Sequence, residues 1–425
     1  MQNNIQKSKG KKFSRFMNNK MDFILLLTVL VLLALGVIMV LSASAPYSLS
    51  VTGESYTFFI KQFGCAILGI AIMLFLSKVD YRFYKKFYWF AYVFSVVILL
   101  LVLVPKLGIE VKGARRWIKL PLLGQFQPSE ITKIGLIIFY AGYLSDHKDD
   151  LKDFWRGFVK SAIFLAPPIA ILYFIQNHLS VSLVILTVSS VMMLMAGCRI
   201  LHFLAGGAVL AGGIALVLIK KLSGGGDGGF RQDRIKTFFD PWADATGTGY
   251  QMVQSLYAIG SGGLFGVGLG NSKQKFLYIP EPQNDFIFAI VAEELGFVGC
   301  VAIILLFAIF IWRGIVISMK APDMFGSLMA IGITTLVAVQ VVINIAVVTA
   351  SIPTTGMALP FFSYRRNSTN NITVIGWNSA KHIKSRFKSI KLEWNINIKT
   401  TSSKYIFTMK KLYEKSNRIL KISKW

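Results

Sequence analysis

Residues 23–41 read Phe-Ile-Leu-Leu-Leu-Thr-Val-Leu-Val-Leu-Leu-Ala-Leu-Gly-Val-Ile-Met-Val-Leu, nineteen positions without a charge. An apolar run of about 18 or more residues is long enough to cross a bilayer core as a helix. Lipid offers no partner for a stray backbone N–H or C=O, so a closed helix is the conformation such a run must take. Upstream, the first 20 residues hold six Lys/Arg and no acid. That is the flank expected on the cytoplasmic side of a first span. Ser42-Ala43-Ser44-Ala45 has the look of a signal cleavage site. The apolar run is longer than a usual signal core and many spans follow it, so a retained anchor with a cytoplasmic N-terminus is expected.

Working outward, similar runs lie near 58–78, 87–105, 129–145, 158–175, 179–197, 202–220, 286–313 and 324–350, nine spans in all. The whole chain is 54% hydrophobic and 16% charged, with a mean hydropathy of +0.58. The fold class expected is an all-α polytopic membrane protein of the cytoplasmic membrane. Cys65, Cys198 and Cys300 all sit in or beside apolar runs, an odd count that suits neither a disulfide framework nor a zinc site. Half of the +26 net charge belongs to residues 365–425, with 15 Lys/Arg against two acids. The rest is spread over loops between spans, which points to topology and away from nucleic acid.

Loop charge supports the count at first. Loop 79–86, placed inside, carries Arg82, Lys85 and Lys86, whereas loop 43–57, placed outside, has no Lys or Arg. Loop 106–128 then falls outside yet holds Lys106, Lys112, Arg115, Arg116 and Lys119. Basic residues there oppose the insertion bias, which leaves two readings: a solvated charge run or an anion site at the outer face. The other long outer segment, 221–285, opens on Ser223-Gly224-Gly225-Gly226-Asp227-Gly228-Gly229, a linker composition. Its middle, Arg231 to Tyr257, mixes aromatic and charged residues as an interfacial helix would. Gly266-Val267-Gly268-Leu269-Gly270 lacks the preceding strand that a nucleotide loop needs.

Asp285 stands where this outer segment meets the apolar helix beginning Phe286-Ile287-Phe288. A partly desolvated carboxylate there can act as a general base, or can simply favour a helix start. Glu293 and Glu294 lie roughly 12–14 Å further along a helix, too far to serve the same bond. One carboxylate with several Arg/Lys permits transfer from a diphosphate leaving group to a hydroxyl. The leaving group needs cationic charge and the hydroxyl needs a base. A divalent cation could ride on the phosphates.

Five motifs in order resemble the SEDS proteins (shape, elongation, division and sporulation). They are Lys112-Gly113-Ala114-Arg115-Arg116-Trp117-Ile118; Gln127-Pro128-Ser129-Glu130 with Lys133; Gly262 through Gly270; Pro280 through Phe288 running into Glu293-Glu294-Leu295-Gly296; and Pro353 through Tyr364. The doubled arginine is more similar to the division and sporulation branch (FtsW, SpoVE) than to the RodA branch. The resemblance implies a ten-span fold that polymerises lipid II into glycan strands at the outer membrane face, inverting the donor carbon. By it, Asp285 deprotonates the acceptor 4-hydroxyl, and Arg115, Arg116 and Lys119, with Lys112 in the same motif, hold the pyrophosphate. Glu130 and Lys133 are supporting polar groups or a structural ion pair one turn apart. Glu293 and Glu294 are carried as further substrate-side candidates. No cofactor is implied beyond Mg2+ or Mn2+ accompanying the substrate. The implied partners are lipid II and undecaprenyl-linked glycan, a class B penicillin-binding protein, and other divisome or sporulation proteins.

Two departures qualify this. Where the family has Pro-Asp-Leu-Gly, this chain has Asn177-His178-Leu179-Ser180, so His178 is expected to make a local polar contact. After Tyr364 the family continues Gly-Gly-Thr-Ala-Leu into a tenth span, whereas here the sequence runs Arg365-Arg366-Asn367-Ser368-Thr369-Asn370-Asn371-Ile372. Encoding this stretch as AGG AGG AAC AGC ACT AAT AAT ATT AC and reading one base later yields Gly-Gly-Thr-Ala-Leu-Ile-Ile-Leu. A one-base insertion near codon 365 is therefore expected. It divides the chain into a basic N-terminus (1–21), a membrane domain (22–364) and an out-of-frame tail (365–425). A genuine polybasic tail attracted to anionic lipid is the alternative. For the whole protein, a lipid II flippase and a non-catalytic scaffold are the alternatives. The flippase would show polar groups through the full membrane thickness and inverted repeats.

Overall fold

The first apolar run forms helix α1, Phe23–Thr52. Asp22 caps it by accepting from the Leu25 N–H at 3.0 Å, and Gly53, at φ 75°, ends it in the left-handed region. The helix continues unbroken through Ser42–Ala45, and Ala43 and Ser44 are fully buried. Pro46 lies inside α1 and cannot donate to the carbonyl of Ser42.

The computed structural model describes residues 22–77, 79–105, 107–111, 114–120, 124–206 and 237–364. All of these belong to one compact unit, Asp22–Ala380. After α1 come α2 (Thr57–Leu76), the short α3 (Arg82–Lys86) and α4 (Tyr88–Leu100), which runs on as a tighter turn, Leu101–Leu103. Three strands follow, β1 (Gly108–Val111), β2 (Ala114–Leu120) and β3 (Gly124–Phe126). Then come α5 (Pro128–Asp146), α6 (Phe154–Ile175), α7 (Leu179–Ala196), α8 (Tyr250–Gly262), α9 (Ile287–Met319) and α10 (Met324–Val348).

Helices α5, α7 and α10 enclose the core, where Phe139, Tyr140, Leu144, Val184, Met192 and Leu336 are buried. Lipid is as apolar as leucine, so helices in a bilayer associate through close packing and small residues more than through hydrophobic burial. Gly135 and Gly142 of α5 show this. A Cβ at Gly135 would lie 2.0 Å from Ser95 Oγ, and one at Gly142 would lie 2.5 Å from the Tyr88 ring. The opposite condition holds on α2 and α9. Ile60, Phe63, Ile67 and Phe75 on α2, and Phe297, Val298 and Leu305 on α9, are exposed. Apolar residues turned outward on long apolar helices are lipid-facing surface.

The protein is therefore a polytopic α-helical membrane protein, with three corrections to the expected layout. Among the described residues six helices, not nine, are long and apolar enough to cross a membrane: α1, α2, α6, α7, α9 and α10. Helix α4 with its turn is shorter, and α5, though 19 residues long, carries Glu130, Lys133 and Asp146. The expected span at 202–220 lies beyond residue 206 for most of its length, outside the described residues. The basic loop 106–128 is also not all loop. It forms an antiparallel sheet in the order β1-β2-β3, pairing Ile109 with Trp117 and Ile118 with Phe126. Finally, α9 is two helices. Gly296, at φ 66° and ψ −168°, breaks it, and 297–319 is the membrane-length part. Tail 365–425, linker 223–229 and N-terminus 1–21 lie outside the described residues.

Two polar clamps tie α1 to α9. At one end Arg313 Nε donates to Asp22 Oδ2 at 3.0 Å, and its terminal nitrogen pairs with the same carboxylate. At the other, Ser42 Oγ donates to Glu294 Oε1 at 2.6 Å. Ser42→Ala is expected to lower stability by about 1.5–3 kcal/mol, the range for a buried hydrogen bond to a charged group. Thermal unfolding in detergent measures it.

Candidate active site

Asp285 lies in a half-buried turn just ahead of α9. Its main-chain carbonyl accepts from Asn344 Nδ2 at 2.8 Å, and the same amide nitrogen donates to the Met357 carbonyl at 2.7 Å. Gly356, at φ +65°, faces the Asp285 side chain so closely that a Cβ there would sit 3.3 Å from Oδ2. The segment 353–364 is itself anchored. Ser180 Oγ donates to the Thr355 carbonyl at 3.1 Å, and the Tyr364 N–H donates to the Gln283 carbonyl at 2.7 Å. Three stretches far apart in sequence thus meet at the turn that carries Asp285.

Successive residues of a strand face opposite ways, and β2 separates the doubled arginine accordingly. Arg116 turns toward α7, donating from Nε to the Gln176 carbonyl at 3.0 Å and from a terminal nitrogen to the Asn177 carbonyl at 2.7 Å. Arg115 is exposed and meets its cross-strand neighbour Glu110 at 3.5 Å. Beyond Asn177, His178 makes the expected local contact, its Nε2 lying 3.1 Å from Gln127 Nε2. Ser180 follows and holds Thr355, next to Gly356. Arg116 and Asp285 are therefore connected through 176–180 and 353–356 at one end of the bundle. Lys112 lies outside the described residues, and of Lys119 only the backbone, paired with Gln125, is described.

Glu130 and Lys133 pair with each other at 2.9 Å on the first turns of α5, both buried. The separation makes an ion pair, although the ammonium is not aligned for a directed hydrogen bond. Lys133 also borders a small cavity with Ser189, Ile185 and Leu336. Glu293 and Glu294 have partners remote from Asp285. Glu293 accepts from the Ser272 hydroxyl and from the Lys273 N–H at 2.8 Å. Glu294 accepts from Ser42 and from Lys275 Nζ at 3.0 Å. Both glutamates are buried, and they fasten the loop at 272–275 to the broken helix.

The glycine-rich run beside them has a backbone task. Breaking α9 at Gly296 would orphan main-chain groups on both sides of the break, and buried groups of this kind must be paired. The N–H groups of Phe297 and Val298 donate to the carbonyls of Gly263 and Leu264 at 2.9 and 3.1 Å. The N–H groups of Val267 and Gly268 return bonds to the carbonyls of Glu293 and Glu294 at 3.0 and 3.1 Å.

Sequence reasoning missed Asn344, Gly356, Lys275 and Ser42. Asn344 had a signal, since an amide inside Val341-Val342-Ile343-Asn344-Ile345 is costly unless it bonds something. Lys275 had none, because nothing local separates it from the solvated Lys273.

The family model for the FtsW, RodA and SpoVE cell cycle proteins matches residues 23–375. The chain belongs to this family. Among FtsW/RodA/SpoVE relatives, stage V sporulation protein E of Bacillus subtilis (strain 168) is 43% identical over 350 residues, covering 82% of this chain and 92% of that protein. The probable peptidoglycan glycosyltransferase FtsW of Geobacter sp. (strain M18) is 39% identical over 347 residues, covering 82% and 92%. A chain of a peptidoglycan synthase complex described for coordinating polymerization and crosslinking is similar in structure, with a TM-score of 0.70, 27% identity and 86% and 98% of the two chains covered. Thermus thermophilus RodA gives 0.61 at 26% identity, with 86% and 97% covered.

Proposed function

We propose that this chain is a peptidoglycan glycosyltransferase that polymerises lipid II at the outer face of the cytoplasmic membrane. The observation carrying this reading is the convergence at one bundle end of Asp285, the 353–356 segment and Arg116. The proposed topology has nine in-frame spans of the family's ten, a cytoplasmic N-terminus and Asp285 on the outer side. Asp285 takes the proton of the acceptor sugar's 4-hydroxyl as that oxygen bonds to the donor anomeric carbon. The bond from that carbon to phosphate breaks, and the lipid diphosphate leaves with the electron pair, giving inversion. Arg116 receives that charge, Lys112, Lys119 and Arg115 add to the field, and any Mg2+ or Mn2+ travels with the substrate. The Glu130–Lys133 pair is a supporting polar group, and Glu293 and Glu294 fasten the loop at 272–275 to the first part of α9.

The polar groups just named cluster at one end, which favours surface chemistry over a flippase pathway through the full thickness. The partner proposed is a class B penicillin-binding protein that cross-links the strands, within a division or sporulation assembly. The direct test supplies lipid II to the purified protein with that partner and follows glycan chains by gel. Unconsumed lipid II with folded protein present would overturn the enzymatic reading in favour of a scaffold.

The two arginines are read by different measurements, polymerisation for Arg116 and thermal unfolding for Arg115. Arg116→Ala is expected to lower kcat/KM by ~10–100-fold, equivalent to one charged hydrogen-bonded contact. Arg115→Ala is expected to shift thermal stability by no more than about 0.5 kcal/mol, because its pair with Glu110 is exposed.

The basic tail is proposed to be an out-of-frame product of a one-base insertion near codon 365, which removes the tenth helix and lowers activity. Resequencing the gene decides this. An uninterrupted frame encoding the tail, together with normal polymerisation, would refute it.

A further inference from the structure

A buried asparagine near the end of α10 has both hydrogens of its amide directed at main-chain carbonyls from two different segments. Asn344 is 1% exposed. Its Nδ2 donates to the Asp285 carbonyl at 2.8 Å and to the Met357 carbonyl at 2.7 Å. A primary amide has two N–H donors, and both are used here. A residue chosen only to fill space would be apolar, since the flanking Val341 and Val348 are buried hydrocarbon. An amide at this depth is retained for the bonds it makes. Those bonds join the turn carrying Asp285 to the segment carrying Gly356. Gly356 is the position whose missing Cβ leaves the Asp285 carboxylate its place, 3.3 Å from where that atom would stand.

We infer that Asn344 is a positioning residue for Asp285, holding the carboxylate against the Gly356 backbone in the geometry needed for proton transfer. This rests on Asp285 being the base. Asn344 takes no part in the proton transfer and does not touch the sugar. It fixes the Asp285 main chain from behind, at the junction of α10, the 280–286 turn and the 353–364 segment. No other side chain described here bonds both carbonyls. Leu keeps the branching of Asn and has no donor, so Asn344→Leu removes the tie; it is also bulkier, and the unfolding midpoint reads any overpacking separately. Gly356→Ala should disturb the same carboxylate from the opposite side by adding a methyl at a left-handed position.

The test measures kcat and KM for lipid II, binding of a fluorescent lipid II, and thermal unfolding, for Asn344→Leu, Gly356→Ala and Asp285→Ala. A misplacement of about 1 Å at a reacting group costs on the order of 100-fold in rate. Asn344→Leu is therefore expected to lose kcat by that order and Gly356→Ala by less, since its methyl shifts the carboxylate only a few tenths of an ångström, with KM and lipid II binding within about threefold of the parent. Asp285→Ala should be at least as severe with binding also kept. If Asn344→Leu retains full kcat while Asp285→Ala is dead, the positioning role is wrong and the base assignment stands. If Asn344→Leu loses binding and unfolding midpoint along with kcat, Asn344 serves the bundle and not the carboxylate. If Asp285→Ala keeps its rate, the base assignment itself fails, whatever the asparagine does.

Discussion

Replacing Asp285 with alanine is expected to reduce lipid II polymerisation by roughly 10²–10⁴-fold, the range attributed to a positioned general base. The reason is chemical. A sugar hydroxyl is a poor nucleophile until its proton is taken, whereas a diphosphate leaving group departs without one if cations face it. Removing the arginines should therefore weaken the reaction by degrees, while removing the base should nearly stop it. Asp285→Asn is the sharper variant, because it keeps the side chain's shape while replacing the proton-accepting carboxylate with a neutral amide. Polymer length on gels and residual lipid II report the result. Wild-type rates in Asp285→Asn would end the mechanism proposed here.

The second large effect is on the fold and concerns Gly296 and Gly266. A Cβ on Gly296 would lie 2.2 Å from the Gly266 nitrogen and 2.7 Å from the Leu264 oxygen. A Cβ on Gly266 would lie 2.1 Å from the Glu294 oxygen. Both residues have positive φ, 66° and 78°, where a side chain is already strained. The colliding atoms are backbone, so no side chain can move aside. Four main-chain hydrogen bonds across the break depend on this approach. Gly296→Val is therefore expected to cost more than about 4 kcal/mol, the range of exceptional single substitutions. It should appear as loss of monodisperse protein after detergent extraction. Gly260→Ala, on α8 and outside the paired strip, is the comparison. Its Cβ would meet nothing within 4 Å, so it should extract normally.

What the sequence disclosed followed from how far its signals extend. Apolar length alone identified α1, α2, α7, α9 and α10 to within a few residues at most of their ends, because lipid imposes one backbone solution on such runs. Helix α5 was placed as well, near 129–145, although it carries Glu130 and Lys133, which pair with each other. The break in α9 at Gly296 was missed, because a backbone turn leaves a hydropathy sum unchanged. The sheet at 108–126 was hidden because its strands are short and its basic residues suggested solvated loop. At the site, Asp285 and Arg116 stood out as charges in unusual places. The groups around Asp285 did not, since a main-chain carbonyl and an absent Cβ leave little trace in a residue list. The divergence of Arg115 from Arg116 followed from strand alternation and needed only the strand to be known.

The clamps on α1 carry a further consequence. Asp22 and Ser42 are about 20 residues apart, roughly 30 Å of helix at ~1.5 Å per residue. Their partners Arg313 and Glu294 hold α9 at a matching interval. That interval equals the hydrocarbon depth of an ordinary bilayer, about 30 Å. The Arg313 fastening lies on the long part of α9 and the Glu294 fastening on the short part before Gly296, so α1 splints the break and joins the piece that follows Asp285 to the long helix.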